Sequence, residues 1–227
     1  KHKVESWEEY EQREQEFLKE RFLSKEPTIS TFVRITAGQA KNFKIEIPRN
    51  TRPLTDRMKV RIFDVLGSDI ANKSVLDLYA GAGSFALEAL SRGAKEATLV
   101  DASKQGNIII QRNVAHTGFL PQADVIKSKV EDFIQKYKES DKTWDIIFMD
   151  PPYKLYNTKR IEKMERIIND ASSLLPGVKN PKTKKFKGAF IIKHPKRYPI
   201  DKLNLKYIKR VDTYEFGLNS ISLYIVK

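Results

Sequence analysis

Ser74-Val-Leu-Asp-Leu-Tyr-Ala-Gly-Ala-Gly83 is an apolar strand pattern that runs directly into a glycine turn, and a helical stretch over 83–92 follows it. A strand, a turn of small residues and a helix in this order build a site at the carboxyl edge of a parallel sheet. Residues without bulky side chains there let a ligand approach bare backbone. Gly81, Gly83 and Ala86 formally satisfy a Gly-x-Gly-x-x-Ala pattern, which alone also admits a nicotinamide dinucleotide.

Outward from this unit the alternation continues. Strands are predicted at Ala97–Asp101, Ala123–Lys127, Trp144–Asp150 and Ala189–His194, and helices over 103–116, 130–138 and 158–172. This is the signature of an α/β doubly wound sheet with helices on both faces. Leu203–Thr213 and Ile221–Val226 then follow without an intervening helix, which predicts antiparallel C-terminal strands. On the other side, Thr31–Ala37 and Phe43–Ile47 read as a small β-hairpin turning through Gly38. Thr55 can cap a helix that runs to Leu66 and stops at Gly67. Residues 3–24 read as an N-terminal helix with Trp7, Tyr10 and Phe17 on one stripe. The expected organisation is a helical extension over 1–27, a hairpin appendage over 28–52 and a main domain over 53–227.

The 227 residues include 42 Lys+Arg against 29 Asp+Glu, for a formal net charge of +13, and no cysteine. Residues 1–26 are net negative, so the excess lies in the body. Between Pro176 and Arg210 there are twelve basic residues and the single acid Asp201. A polyanion is the natural partner of such a surface, and a solvated lysine-rich face is the plain alternative. Without a thiol there is no disulfide framework, no cysteine-held metal cluster and no thiolate nucleophile. The three histidines, His2, His116 and His194, are too scattered for a metal site, so no metal is expected. No apolar run is long enough to span a bilayer, and a soluble protein with no membrane partner is expected.

Two acids end the first two strands of the alternating region. Asp101, 24 residues after Asp77, is placed to accept hydrogen bonds from a ribose diol, and Asp77 is placed to reach the amino end of an amino-acid moiety. With Tyr79 and Ala80 in the turn, these residues suit an S-adenosylmethionine pocket better than a dinucleotide. Asp150-Pro-Pro-Tyr153 follows the strand Trp144–Met149, which puts it at the same edge. An exocyclic base amine is a poor nucleophile because its lone pair is delocalised. If Asp150 accepts one N–H and the Pro151 carbonyl the other, the lone pair can point at an electrophilic methyl. Pro151 and Pro152 stiffen the corner, and Tyr153 offers a flat face for a single-stranded or extruded base. Carbon-5 pyrimidine methylation through a thiolate is excluded, whereas amine methylation needs no thiol.

Taken together, Arg34-Ile-Thr-Ala-Gly38, Arg52-Pro-Leu-Thr-Asp-Arg57, Val75–Gly83, Leu87-Glu-Ala-Leu-Ser-Arg-Gly93, Val100-Asp101 and Asp150–Tyr153 resemble the RsmD family of ribosomal RNA (guanine-N2) methyltransferases, over residues 32–227. The resemblance implies a class I methyltransferase (Rossmann-like) sheet, S-adenosyl-L-methionine as cofactor, and small-subunit ribosomal RNA or its assembly particle as partner. It implies that Asp77, Tyr79, Ala80, Gly81, Gly83 and Asp101 hold the cofactor and that Asp150, Pro151, Pro152 and Tyr153 hold the amine. Arg34, Lys41, Lys44, Arg49, Arg52, Thr55 and Arg57 would grip RNA, and the lysine-rich stretch with Lys182, Lys184 and Lys185 is a further RNA candidate. Arg57 could instead pair with Asp56 or Asp64.

The sequence departs from the family pattern at Asn42, Val60, Lys129 and Lys193, where Gly, Glu, Asp or Asn, and Glu are usual. Because Lys129 cannot accept a hydrogen bond from the adenine amine, the backbone at Val130 or the Asp132 side chain is the expected substitute. The alternatives are an adenine-N6 or cytosine-N4 methyltransferase and an RNA-binding assembly factor with a weakened cofactor pocket. The expected location is the cytoplasm of a bacterium or the matrix of an organelle. The N-terminal helix is a possible protein-partner element.

Overall fold

The computed structural model describes residues 27–49, 51, 53–157, 161–183 and 186–227. The helix expected over 3–24, together with Arg52, Lys184 and Lys185, lies outside the described residues. A two-stranded antiparallel sheet comes first, β1 (Ile29–Arg34) paired with β2 (Lys44–Pro48). Helix α1 (Asp56–Leu66) begins where the Thr55 hydroxyl accepts the Met58 N–H and ends at Gly67. The β/α alternation follows as β3 (Ser74–Leu78), α2 (Ser84–Ser91), β4 (Glu96–Asp101), α3 (Lys104–His116), β5 (Ala123–Lys127), α4 (Val130–Lys138), β6 (Ile146–Met149), α5 (Ile161–Ser172), the single turn α6 (Pro176–Lys179) and β7 (Ala189–Pro195). The chain closes with β8 (Ile208–Phe216) and β9 (Asn219–Val226).

The seven-stranded sheet has the order β5-β4-β3-β6-β7-β9-β8. Its first five strands are parallel, while β9 inserts antiparallel between β7 and β8. The chain winds outward from β3 toward β5, then returns to β6 on the other side of β3. The switch point therefore lies between β3 and β6, where α/β folds open a crevice at their carboxyl edge.

The apolar strands are buried on both faces, as a helix-covered parallel sheet requires. Successive side chains alternate between two cores. Val75, Ile146, Phe148 and Ile191 face one cluster with α1, α2 and α3, whereas Leu76, Leu78, Ile147, Met149 and Ile192 face the other with α4 and α5.

Ile35, Ile45 and Ile47 of the hairpin belong to the first of these clusters and are fully buried. The hairpin is thus packed into the body, and its anchor is polar. Glu88, buried on α2, accepts the Thr36 N–H at 2.9 Å, the Thr36 hydroxyl at 2.6 Å and the Arg92 guanidinium at 2.9 Å, with Lys59 Nζ 3.6 Å away. Ser91 accepts the Ala40 N–H and donates to the Ala37 carbonyl. Gly38 sits at φ 81°, and a Cβ there would lie 1.8 Å from the Ser91 carbonyl oxygen, so only glycine allows this approach.

One expected strand starts late. Leu203–Tyr207 is irregular because the Asn204 N–H donates to Glu165 and the Lys206 N–H to Asn169, both on α5, rather than to a strand partner. Among the described residues, no helix is long and apolar enough to cross a membrane.

Candidate active site

The site begins with what parallel pairing does to two chain segments. Leu78 is in register with Met149, and the Asp150 N–H reaches the Leu78 carbonyl at 3.3 Å. The glycine turn and the Asp150–Tyr153 corner therefore leave adjacent strands side by side at the switch point. One inner pocket is lined by Asp77, Tyr79, Ala80, Gly81, Ala82, Ser84, Phe85, Phe148 and Asp150, and is covered by Thr51, Pro53 and Leu54. It holds about 30 Å³, with Thr51, Pro53 and Leu54 forming part of its wall.

The turn itself is tightly wound. Tyr79, Gly81 and Gly83 have φ of 63°, 60° and 77°. A Cβ on Gly83 would lie 2.8 Å from Leu99 Cδ2. Tyr79 pays the steric cost that the glycines avoid, in a conformation bulky residues rarely adopt outside functional sites. Its hydroxyl is buried without a partner. Burial pushes the Tyr79 phenol upward, with the Glu131 charge adding to it.

Asp77 is 1 % exposed, and its Oδ2 accepts the Ala86 N–H of the first turn of α2 at 3.1 Å. Burial pushes this carboxyl well above the usual carboxylate range; the Ala86 N–H opposes, and the charges of Asp150 and Asp101 add to the rise. Asp101 accepts the Gly81 N–H at 2.9 Å and the Ser103 N–H at 2.8 Å. An ionised carboxylate has about four acceptor sites, so Asp101 retains capacity for a diol. Val130 opens α4 with a buried side chain, and Asp132 is exposed in the same first turn. Lys129 is exposed at the N-cap and makes no side-chain cap bond.

Asp150 Oδ2 meets Lys193 Nζ at 2.7 Å, and the lysine side chain, on β7, is only 5 % exposed. Burial pushes the Asp150 carboxyl up while Lys193 pulls it down. Pro151 is buried, whereas Pro152 and Tyr153 are exposed at the rim. The Tyr153 hydroxyl donates to Asn219 Oδ1 at the start of β9, and the Tyr156 hydroxyl donates to the Lys193 carbonyl at 2.5 Å. His194 lies next to Lys193 but is a packing residue: its ring contacts the Pro195 carbonyl and the Ser222 hydroxyl, and burial lowers its pKa.

The basic candidates divide. Lys41, Lys44, Arg49 and Arg57 are exposed on the hairpin and α1. Arg34 is exposed as well but holds Asp56 at 2.8 Å, the carboxylate considered for Arg57. The Thr55 hydroxyl is engaged as the cap of α1. Lys182 lies in the loop before β7, at the amino edge of the parallel strands and thus away from the cleft. Neighbouring Phe186 sits under Lys73, which precedes β3 at that same edge.

The residues that sequence reasoning did not assign are Thr51, Pro53, Leu54, Ala82, Ser84, Phe85 and Phe148 around the pocket, and the partners Lys193 and Asn219. Lys193 carried a signal, being the one charge inside the apolar run Ala189–Ile192 and its continuation to His194. Asn219 carried none.

Seven strands in this order, a reversed β9 and a switch-point cleft formed by a glycine turn and an Asp-Pro-Pro-Tyr corner define the class I methyltransferase fold. The solved structure "Putative methyltransferase yhhF from Escherichia coli" superposes with a TM-score of 0.68 at 23% identity, over 87% of this chain and 99% of that one. A SAM-dependent methyltransferase from Agrobacterium tumefaciens gives 0.58 at 16% identity, over 81% and 68%. Both show likeness of fold. The family described as Conserved hypothetical protein 95 matches residues 33–224, and the chain belongs to that family. Among curated relatives, the ribosomal RNA small subunit methyltransferase D of Escherichia coli strain K12 is 33% identical over 124 residues, 54% of this chain and 61% of the relative. The chain thus spans about three fifths of the length of the curated relatives it matches.

Proposed function

We propose that this protein transfers a methyl group to the exocyclic N2 amine of a guanine in small-subunit ribosomal RNA. The observation that carries the reading is the register of β3 with β6, which brings Asp77 and Asp150 into one pocket. The name of the Escherichia coli relative supports ribosomal RNA as substrate, and the name of the Agrobacterium neighbour supports the cofactor.

The donor set suits S-adenosyl-L-methionine. Three carboxylates, Asp77, Asp101 and Asp150, gather at one edge of a protein with net charge +13, which fits a cationic ligand carrying a ribose. Asp101 would accept from the ribose hydroxyls, Asp77 would face the amino-acid end, and the backbone at Val130 would meet the adenine. When bound, the cofactor supplies an electrophilic methyl on a sulfonium. Admitting a ligand of that size requires Thr51, Pro53 and Leu54 to move off the glycine turn.

Asp150 accepts one amine N–H and the Pro151 carbonyl the other, fixing the nitrogen with its lone pair free to attack. On methylation of the nitrogen, Asp150 would take up the one amine proton that must leave and pass it to water. Tyr153, anchored through Asn219, presents its ring to the base. This is catalysis by placement and preorganised charge. The hairpin's Lys41, Lys44 and Arg49 face RNA phosphates, and the site of action is where small-subunit particles are assembled, in a bacterial cytoplasm or an organelle matrix.

The narrow pocket and Lys129 favour one second reading, an assembly factor that binds RNA without turnover. Incubating the protein with labelled S-adenosylmethionine and unmodified small-subunit particles, then locating label by mass spectrometry, separates the two. A single N2-methylguanine supports the first reading. RNA binding without label or saturable cofactor heat supports the second.

A further inference from the structure

A buried lysine is costly unless a charge faces it, and a buried carboxylate is likewise. Lys193 is 4 % exposed, yet it stands on β7, an interior strand of the sheet between β6 and β9. Its ammonium meets Asp150 Oδ2 at 2.7 Å, and its backbone carbonyl accepts the Tyr156 hydroxyl at 2.5 Å. Tyr156 follows the Asp150–Tyr153 corner by three residues. The corner is therefore tied to β7 at two points, both on Lys193.

We infer that Lys193 is a positioning residue that fixes Asp150 as an ionised, singly available acceptor, with Oδ2 occupied by the ammonium and Oδ1 left for the amine N–H. This rests on the reading of Asp150 as the group that receives the amine. Among the described residues, Asp77 from β3, Tyr79 from the glycine turn and Tyr156 from its own loop also face Asp150, and none of them can supply the balancing positive charge. A partly buried carboxylate beside Asp77 is biased toward its neutral acid, whose hydroxyl would donate rather than accept. Lys193 offsets part of that bias, against a burial that still holds the Asp150 carboxyl above its ordinary value. It also lowers the carboxylate's basicity, so the proton received from the amine passes on to water.

The test compares wild type with Lys193→Gln, which keeps a donor to Asp150 but no charge, and Lys193→Arg, which restores charge. The first readout is ligand-free: the carboxyl carbon of Asp150, assigned by its loss in Asp150→Asn, is titrated by NMR. The Gln variant is expected to titrate about one to three pH units higher than wild type, and the Arg variant near wild type. The second readout is the acid limb of methyl transfer against pH. In the Gln variant it moves upward, so that the rate falls about tenfold for each unit below the new midpoint and recovers in alkali. Identical Asp150 titrations in wild type and Lys193→Gln overturn the inference, as does a lowered rate in that variant with an unmoved acid limb. A shifted titration in a wild-type protein that transfers no methyl leaves the ion pair standing and removes the methyltransferase reading. Should Lys193→Gln fail to fold, Lys193→Met is used with the same criteria.

Discussion

Burying Asp77 places a functional requirement in opposition to stability. Its carboxyl is raised in the folded protein above the ordinary value of about 3.9. Between those two values the folded state binds more protons than the unfolded one, so this residue's contribution to stability falls as pH rises. Asp77→Asn keeps an oxygen for the Ala86 N–H and removes the charge. The variant should be more stable than wild type at pH 7, and the gain should vanish below pH 4. Its affinity for S-adenosylmethionine should fall at least tenfold. Thermal melts at pH 4 and pH 7 with parallel calorimetry check both halves; a variant no more stable at pH 7 would mean that the Asp77 charge is already compensated. For Asp150→Ala the expectation differs: methyl transfer falls by three orders of magnitude or more while RNA affinity stays within about twofold, since the residue is charged with positioning the amine and not with binding phosphate.

At the scale of elements, two of the stretches that carry the family resemblance, Arg34–Gly38 and Leu87–Gly93, turn out to be partners. Thr36, Ala37 and Gly38 of the first motif meet Glu88, Ser91 and Arg92 of the second, and the contact clamps the hairpin to α2. Gly38→Ala forces a side chain into left-handed backbone and against the Ser91 carbonyl, so a loss of about 2–4 kcal/mol is expected in urea unfolding, with weakened RNA binding. Thr55→Ala should cost only about 1 kcal/mol, the value of an N-cap, and leave the salt dependence of RNA binding unchanged. These pairings also mark where sequence reading stops. The glycine turn, the α1 cap and the β/α alternation are legible because each is encoded by neighbouring residues: small residues at a turn, a hydroxyl before a helix, apolar runs of strand length. The clamp joins residues more than fifty positions apart, and the late start of β8 depends on Glu165 and Asn169 capturing its backbone. Neither leaves a local pattern. Lys193 was visible as a charge in an apolar strand, but its partner was defined only once β6 and β7 were paired.

Across the whole molecule, strand direction sorts the positive charge into two populations. Parallel strands place every β-to-α loop at one edge and every α-to-β loop at the other. The hairpin basics connect to the cleft through Thr51–Leu54, whereas Lys182 belongs to the loop entering β7 at the far edge. Charge count alone made both segments RNA candidates, and topology separates them. If substrate RNA spans the cleft, Lys41, Lys44 and Arg49 contact phosphates whose counterions are released on binding, and each lost contact lowers the slope of log affinity against log salt by about 0.7–0.9. The triple alanine variant should therefore bind small-subunit RNA with a slope shallower by about 2, and with kcat/KM reduced at least tenfold at 0.1 M salt through KM rather than kcat, because the chemistry at Asp150 is untouched. Lys182→Ala should alter neither slope nor turnover. Fluorescence anisotropy over a salt series, with steady-state methylation alongside, gives both numbers. A flatter slope for Lys182→Ala with an unchanged slope for the hairpin triple would show that RNA approaches the amino edge, which would leave the cleft without its substrate.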